Sequence, residues 1–415
     1  MRIEKYSFGI GDRFGKEGEA QLEAIQEINK LGIPVVPVWN KSNREHTIVK
    51  TNPMAVLEEA KKAVAAKGWN NSYYVDADHI GLATVEEFIN YSNFFTIDVA
   101  NFIRKPVSET KKDEFVNRHA KYTGALKIPG IQEEFEVTKA YLERIADNYM
   151  LAVQEVKKIY SHIVEKKGKN NFIPEVSMDE CEIAQTPLEL FFILAELKYE
   201  GINVQTIAPK FTGLFAKGVD YIGDIKRLTT EFEQDVAVIQ FAVKELGLPE
   251  NLKLSVHSGS DKFSIYPVIR ETIKKYNAGI HLKTAGTTWL EEVIGLAQAG
   301  GEGLQIAKEI YQQSVERFDE LTSQYITVLN INPAELPLPE KVQHWTSKQF
   351  SDALTHDKNC PDFNPSFRQL IHVGYKIAGE MGSTFQNALE TYREKIATNV
   401  KYNILDRHLK MLFGI

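Results

Sequence analysis

The stretch Ser72-Tyr73-Tyr74-Val75-Asp76-Ala77-Asp78-His79-Ile80-Gly81 begins as a buried strand and ends in polar side chains. Successive side chains of a strand point to opposite faces, so Tyr74, Asp76 and Asp78 are predicted to share one face. His79 follows them at the strand exit. A buried carboxylate without a partner is costly. The stretch therefore predicts a metal or proton-transfer site, or else a strand end that only caps the next helix.

Seven other segments begin as apolar runs, and most of them end in polar residues or glycine. They cover residues 6–14, 33–40, 93–99, 172–180, 201–210, 252–262 and 278–286. Amphipathic helical patterns lie between several of them, at 17–31, 54–66, 84–92 and 188–200. Because parallel strands need a crossover element, this alternation predicts an α/β fold, a (β/α)8 barrel of the TIM type. The alternative is a doubly wound open sheet, but no Gly-x-Gly-x-x-Gly joins a predicted strand to a helix, which disfavours a nucleotide-binding version.

Two regions exceed a minimal barrel. A helical insertion after strand four covers about 101–170, and we expect it near the barrel mouth. The barrel with this insertion is predicted to occupy residues 1–300, and residues 301–415 are predicted to be a helical C-terminal extension packed on it. The long helical patterns in these regions are at 137–164, 306–328 and 385–412.

Composition excludes several classes of protein. The 415 residues carry a net charge of −7 and are 43% hydrophobic, which is typical of a globular protein of one or two domains. The charge is spread out, so nucleic acid is not an expected partner. Without an apolar run of eighteen residues or a signal-peptide core, we expect neither a membrane span nor a leader. Cys181 and Cys360 form no disulfide framework, which favours a reducing cytoplasm. Barrels with added helices often self-associate, so a homo-oligomer fits this architecture.

Three of the ten histidines fall at predicted strand ends, namely His79, His257 and His281. Histidine is the commonest metal ligand, and the strands of a barrel bring their C-terminal ends to one mouth. Any one of them is more often structural, but together they predict a site for a divalent cation such as Zn, Mn, Ni or Co. Asp179 and Glu180, at the end of strand five, add carboxylates that can bind an ion or move a proton. Only one of the pair can point inward in a regular strand, and the sequence leaves open which.

Polar residues after strands seven and eight predict contacts to a substrate anion, because barrels often bind such groups with these loops. Lys262 and Lys283 supply cations, although either lysine is equally consistent with a solvated surface position. The candidate substrate-binding residues are Asp179, Gln205, Ser258, Ser260, Lys262, Lys283 and Thr284.

Some of these motifs resemble known enzymes. Asp76-Ala77-Asp78-His79, followed by His257-Ser258-Gly259-Ser260, resembles the metal site of zinc-dependent class II aldolases. Segments 74–80, 256–263 and 279–287 resemble the tagaturonate/fructuronate epimerase family, and that resemblance covers nearly the whole chain. It implies a metal-dependent isomerase of hexuronate catabolism, which interconverts two sugar acids differing at C4.

The chemistry implied by this resemblance can be compared with the residues. The C4 hydrogen is not acidic, because C4 lies two bonds from the C2 ketone. Inversion then needs either transient oxidation, for which no nicotinamide site is evident, or cleavage of the C3–C4 bond with a divalent ion stabilising the enediolate. The retro-aldol route assigns His79, His257 and His281 as metal ligands. It assigns Asp78 as the base and Glu180 as the opposing acid.

Two other functions fit the same residues. One is a class II-type aldolase or another isomerase acting on sugars or sugar acids, and the other is a non-catalytic barrel subunit of a sugar aldolase. An aldolase would release two smaller fragments, whereas an epimerase releases none. Three histidines at strand ends argue against a subunit without a site of its own.

Overall fold

Eight parallel strands close into a barrel in the computed structural model, which describes residues 1–284 and 286–415. This confirms the predicted α/β fold and the (β/α)8 barrel. The barrel strands follow one another in space as in sequence, with two strands of a separate antiparallel hairpin, β5 and β6, numbered between the fourth and fifth of them. The strands are β1 (Tyr6–Ile10), β2 (Val35–Ser42), β3 (Tyr74–Ile80), β4 (Phe94–Asp98), β5 (Gly124–Leu126), β6 (Phe135–Val137), β7 (Ile173–Ser177), β8 (Thr206–Ala208), β9 (Lys253–His257) and β10 (Ile280–Lys283).

Within the described residues, ten α-helices accompany the barrel strands. They are α1 (Gly18–Lys30), α2 (Asn43–Val49), α3 (Pro53–Lys67), α4 (Val85–Phe88), α5 (Glu109–His119), α6 (Lys139–Lys167), α7 (Pro187–Tyr199), α8 (Ile225–Leu246), α9 (Tyr266–Lys275) and α10 (Thr287–Ala299). The C-terminal region is helical, as predicted. Its helices are α11 (Gly301–Glu316), α12 (Phe318–Thr322), α13 (Pro339–Gln343), α14 (Ser347–Leu354), α15 (Pro365–Val373), α16 (Tyr375–Met381), α17 (Ser383–Thr391), α18 (Arg393–Tyr402) and α19 (Lys410–Phe413).

Most of the predicted strands are longer than the observed ones, although the second, predicted over 33–40, has the same length as β2. The sixth, predicted over 201–210, is only the three residues of β8. The eighth, predicted over 278–286, ends at Lys283, and Ala285 lies outside the described residues. At 6–14, 172–180 and 252–262 most of the excess lies after the observed strand, because the predicted segments include the polar residues that follow it.

The barrel interior has an apolar end and a polar end. Six side chains fill the end where the strands begin: Ile3, Val36, Val38, Tyr74, Phe94 and Ile173. Two residues after Tyr74 and Ile173, on the same inward face, come the buried carboxylates Asp76 and Glu175. The polar groups therefore lie next to an apolar layer, on its side toward the C-terminal ends of the strands. Barrel enzymes have their active sites at that end.

The insertion after strand four is mainly a helix of the barrel. Helix α6 is close to the prediction of 137–164 and packs against β4 and α7, in the position of the fourth helix of the ring. Helix α5 packs on α6, and the β5–β6 hairpin completes the segment. The insertion thus builds the wall of the barrel.

The C-terminal region packs on the first and last helices of the barrel. Helix α18 lies against α1 and α10, and α14 and α15 also pack on α10. The indole Nε1 of Trp289 on α10 donates to the carbonyl of Ile371 on α15 at 2.8 Å. The patterns at 306–328 and 385–412 each divide into shorter helices. No helix in the described part of the chain combines the length and apolarity that a membrane crossing requires.

Candidate active site

His79 reaches the barrel mouth because β3 is irregular at its end. The φ of His79 is 52°, in the left-handed region that side chains with a Cβ rarely adopt, and the pairing of β3 with β4 shifts register between Ala77 and Ile80. In a regular strand, Asp78 and His79 would point to opposite faces. The irregular backbone brings the two side chains together, and local strain of this kind is characteristic of functional sites.

Two imidazoles at the mouth are each held by a buried carboxylate. His79 Nδ1 lies 2.8 Å from Asp78 Oδ1, and His257 Nε2 lies 2.8 Å from Glu175 Oε1. When such a ring is neutral, the nitrogen that faces the carboxylate carries the proton and the opposite nitrogen presents a lone pair. Metal-binding histidines are oriented in this way. His79 therefore offers Nε2, and His257 offers Nδ1.

Asp179 faces both of these nitrogens. Its Oδ1 lies 3.4 Å from His79 Nε2 and 3.1 Å from His257 Nδ1, and the three donor atoms all lie within 4.8 Å of one another. His257 Nδ1 makes no hydrogen bond within the described part of the chain, despite its short distance to Asp179. Two nitrogen donors and one carboxylate oxygen form a ligand set that suits Zn, Mn, Co or Ni.

The electrostatic surroundings of this group favour positive charge. Burial would lower the pKa of His257, but the carboxylates of Asp179 and Glu175 outweigh it and raise the pKa to about 9. Burial likewise opposes protonation of His79, yet Asp78 and Asp179 hold its pKa well above the usual range. The negatively charged carboxylates that keep protons on these imidazoles also stabilise a metal cation that takes the place of the protons.

His281 is not a member of this group. It lies deeper in the barrel, with Nδ1 3.0 Å from Ser7 Oγ and its ring 5.3 Å from that of Phe94. Burial lowers its pKa to about 3, so the imidazole is neutral. The structure thus brings together His79 and His257 of the predicted ligands, and Asp179 stands where the third histidine was expected.

Lys283 is the centre of a buried ion-pair network. Its Nζ lies 2.9 Å from Asp76 Oδ2, 3.0 Å from Asp78 Oδ1 and 3.2 Å from Glu175 Oε1. Burial would lower the pKa of Lys283, but the three carboxylates raise it well above its usual range. Burial raises the pKa of Asp76 to about 6, although Lys283 opposes this. A Cβ on Gly9 would lie 2.9 Å from Lys283 Cγ, so a glycine at this position leaves space for the Lys283 side chain.

The loop after β9 is mostly engaged with the protein itself. Ser258 Oγ donates to the carbonyl of Lys283 at 2.9 Å. Ser260 Oγ accepts from a backbone N–H at 2.9 Å and from Lys262 Nζ at 3.0 Å. Burial lowers the pKa of Lys262 to about 7. Of the predicted loop residues, Ser258 lines the cavity, while Ser260 and Lys262 are buried and do not line it.

Asp261 anchors this loop to the C-terminal region. Its Oδ2 lies 2.8 Å from the Arg368 guanidinium and 3.2 Å from His356 Nδ1, and its Oδ1 lies 2.9 Å from His408 Nε2. Burial would raise the pKa of Asp261, but Arg368 and the two histidines hold it well below its usual range. The helices beyond the barrel thus fix the loop that follows His257.

Two predicted substrate contacts have other partners. Gln205 lies at the opposite end of the barrel, where its Oε1 accepts from the Ile3 N–H at 3.0 Å and from Asn251 Nδ2 at 2.6 Å. That prediction is corrected, because Gln205 precedes β8 and so lies where the strands begin. Thr284 Oγ1 donates to the carbonyl of Gly9 at 3.3 Å.

The cavity is also lined by Glu180 and by cations beyond the predicted site residues. Glu180 is 46% exposed at its side chain and lies 3.9 Å from Arg44. Besides Lys283, four basic residues of the described chain line the cavity: Arg13, Arg44, Lys210 and Lys217. The C-terminal region contributes Val328 and His372, while no described residue of the 101–170 insertion lines this cavity. Arg13 and Lys210 carried a signal, as charged residues at the ends of the first and sixth predicted strands.

The matches to known proteins, in sequence and in structure, extend over nearly the whole chain. Residues 1–412 match the sequence model of the UxaE family, tagaturonate epimerase. The chain is 27% identical over 435 residues to a tagaturonate/fructuronate epimerase of Thermotoga maritima, covering 98% of this chain and 81% of that protein. Native and glycerol-complexed crystal structures of fructuronate-tagaturonate epimerase from Cohnella laeviribosi each give a TM-score of 0.82 at 24% identity, covering 99% of this chain and 82% of that one. At this identity the two crystal structures show a shared fold.

Proposed function

The chain belongs to the tagaturonate epimerase family, and we propose that it interconverts D-tagaturonate and D-fructuronate at a divalent cation held by His79, Asp179 and His257. Membership of this family makes the chain an isomerase that acts as an epimerase. One observation supports the metal site above others. Two imidazoles, each oriented by a buried carboxylate, present their remaining nitrogens to a third carboxylate.

The proposed reaction cleaves and re-forms one carbon–carbon bond. A base takes the proton of the C4 hydroxyl, C4 becomes an aldehyde, and the electron pair of the C3–C4 bond passes to C3 as the enediolate of C2 and C3. The aldehyde fragment turns over and is attacked on its other face, and the proton returns to the C4 oxygen. Atoms and electrons balance without an oxidant. The C4–H bond stays intact throughout.

A bound divalent cation would supply Lewis-acid stabilisation of the negative charge that develops on the enediolate. His79, Asp179 and His257 are the residues that would hold it, and Zn, Mn, Co and Ni all accept this ligand set. Lys283 adds a fixed positive charge at the base of the same cavity.

The proton-transfer role suits Glu180 better than Asp78. Asp78 Oδ1 already accepts from His79 Nδ1 at 2.8 Å and from Lys283 Nζ at 3.0 Å. Burial alone would raise the pKa of Asp78, but these two neighbours hold it far below its usual range, so it is a weak base. Asp78 therefore acts as a positioning residue for His79. Glu180 lines the cavity, and among the described residues its carboxylate pairs only with Arg44, at 3.9 Å, so it is free to take and return the C4 hydroxyl proton.

Incubation with tagaturonate tests the proposal directly. Chelator-treated protein should lose epimerase activity and regain it with a divalent cation from a panel of Zn, Mn, Co and Ni, with fructuronate as product. The His257→Ala variant should not regain activity, whereas a His344→Ala control, at an exposed position, should behave as wild type. Undiminished epimerisation after metal removal, or in His257→Ala, would refute the metal site. Accumulation of free three-carbon fragments would identify an aldolase instead.

Substrate labelled with deuterium at C4 tests the bond that breaks. The retro-aldol route predicts full retention of the label and no primary isotope effect, because the C4–H bond is not cleaved. A primary isotope effect would instead indicate hydride transfer, and loss of label to water would indicate deprotonation at C4.

A further inference from the structure

Three cations cluster on one side of the cavity, over two aromatic rings. The Arg13 guanidinium lies 4.1 Å from the centre of the Tyr375 ring. Arg44 and Lys217 lie 4.9 Å and 5.1 Å from the centre of the Tyr325 ring. The two tyrosine hydroxyls are 3.0 Å apart. The cations come from barrel loops and α2, and the rings come from the C-terminal region, so the two parts of the chain build this cluster together.

Arg13 is held in place before any ligand arrives. Asp12 accepts the backbone N–H groups of Phe14 and Gly15, each at 2.8 Å, which fixes the loop around Arg13. Arg13 Nε donates to Glu45 Oε1 at 2.8 Å. The Arg13 side chain is only 7% exposed, and one terminal nitrogen has no hydrogen-bond partner in the described residues. A buried charged donor without a hydrogen-bond partner costs free energy, so this nitrogen indicates a hydrogen-bond acceptor that a ligand would supply.

The charge of the cluster matches a single negative charge. Among the described carboxylates, those of Glu45 and Glu180 contact these cations, so three positive and two negative groups leave one net positive charge. Lys217 forms no ion pair with a described carboxylate, and its backbone N–H is held by the carbonyl of Val328 at 2.8 Å. A carboxylate would neutralise this charge, whereas a phosphate dianion would leave an excess of negative charge.

We propose that Arg13, Arg44 and Lys217 bind the terminal carboxylate of the substrate and thereby select a sugar acid over a neutral ketose. This inference rests on the proposed function, which sets the orientation of the substrate: its ketone end lies toward His79 and His257. Because Tyr325 and Tyr375 support the cations, the C-terminal region takes part in substrate recognition.

Calorimetric binding of unreactive ligands tests this pocket without turnover. Metal-loaded wild-type protein should bind a hexonate, which has the carboxylate but no ketone, more tightly than the corresponding hexitol or hexitol phosphate. Lys217→Met should weaken hexonate binding about 10- to 100-fold, the usual effect of losing a hydrogen bond to a charged group, and leave hexitol binding unchanged. Arg44→Met should act in the same direction, and its partly exposed side chain makes misfolding a minor concern. A Lys226→Met control, at an exposed position on α8, should bind hexonate as wild type does.

Equal affinity of the wild type for hexonate and hexitol would overturn the proposal, as would hexonate binding that neither Lys217→Met nor Arg44→Met weakens. Tighter binding of the hexitol phosphate would overturn the choice of a carboxylate. A protein that binds hexonate through these residues but does not epimerise tagaturonate would refute the proposed reaction alone. Epimerisation with an unchanged kcat/KM in both variants would refute the carboxylate pocket alone.

Discussion

Replacing Asp78 with asparagine should weaken metal binding although Asp78 is not itself a proposed ligand. The carboxylate Oδ1 lies 2.8 Å from His79 Nδ1 and 3.0 Å from Lys283 Nζ. Asparagine keeps the size of the side chain but removes its charge and offers one acceptor oxygen instead of two. The imidazole of His79 then loses the anion that orients it and raises its affinity for a cation.

The expected loss of metal affinity is about 10- to 100-fold, or about 1.4–2.8 kcal/mol, as for other carboxylates that orient a metal-binding histidine. Competition with a chromogenic chelator measures it for Zn and Mn, and thermal denaturation of the chelator-treated protein checks that the fold survives. An Asp113→Asn variant, at an exposed position on α5, should bind as wild type does. If Asp78→Asn abolished turnover with metal affinity unchanged, the positioning role would be wrong and Asp78 would be the better candidate for the base.

Three further substitutions test the surroundings of the site. Arg368→Met should lower the free energy of unfolding by about 3–5 kcal/mol in urea denaturation, because it leaves the fully buried Asp261 without its cation; a loss below about 1 kcal/mol would show that the two histidines suffice. Gly9→Ala should cost about 1–3 kcal/mol, since its Cβ would lie 2.9 Å from Lys283 Cγ, and an unchanged unfolding curve would contradict that crowding. Burial raises the pKa of Glu291 from its ordinary 4.5 to about 7, so its stabilising effect is complete below pH 4.5 and is lost as the pH rises through 7. Between those pH values the wild type should therefore lose on the order of 3 kcal/mol relative to Glu291→Gln, and a difference that does not vary with pH would contradict the shift.

The barrel was predictable because its signal is repeated and local. Eight apolar runs, most of them ending in polar residues or glycine, predict the barrel even when the pairing of the strands is not known. The site was only partly predictable. The alternation of side chains shows which face of a strand a residue occupies, but not how deep in the barrel that residue lies. His281 and Lys283 share the inward face of β10, yet Lys283 pairs with His257, while His281 pairs with Ser255 one layer deeper. Side-chain alternation along a strand does not encode that depth.

Other features of the site depend on geometry that local patterns do not record. The left-handed backbone of His79 has no sequence signature, because glycine or asparagine would be the usual residue there. Arg44 and Lys217 meet over Tyr325, far along the chain, and each resembles an ordinary surface cation in its own segment. Gln205 was misassigned because the observed strand begins only after it.

Anomalous diffraction from crystals of the metal-loaded protein tests the central claim most directly. We expect one strong peak about 2.0–2.3 Å from His79 Nε2, His257 Nδ1 and a carboxylate oxygen of Asp179. A peak bound by other residues, or fully active protein with no peak among these three, would contradict the account.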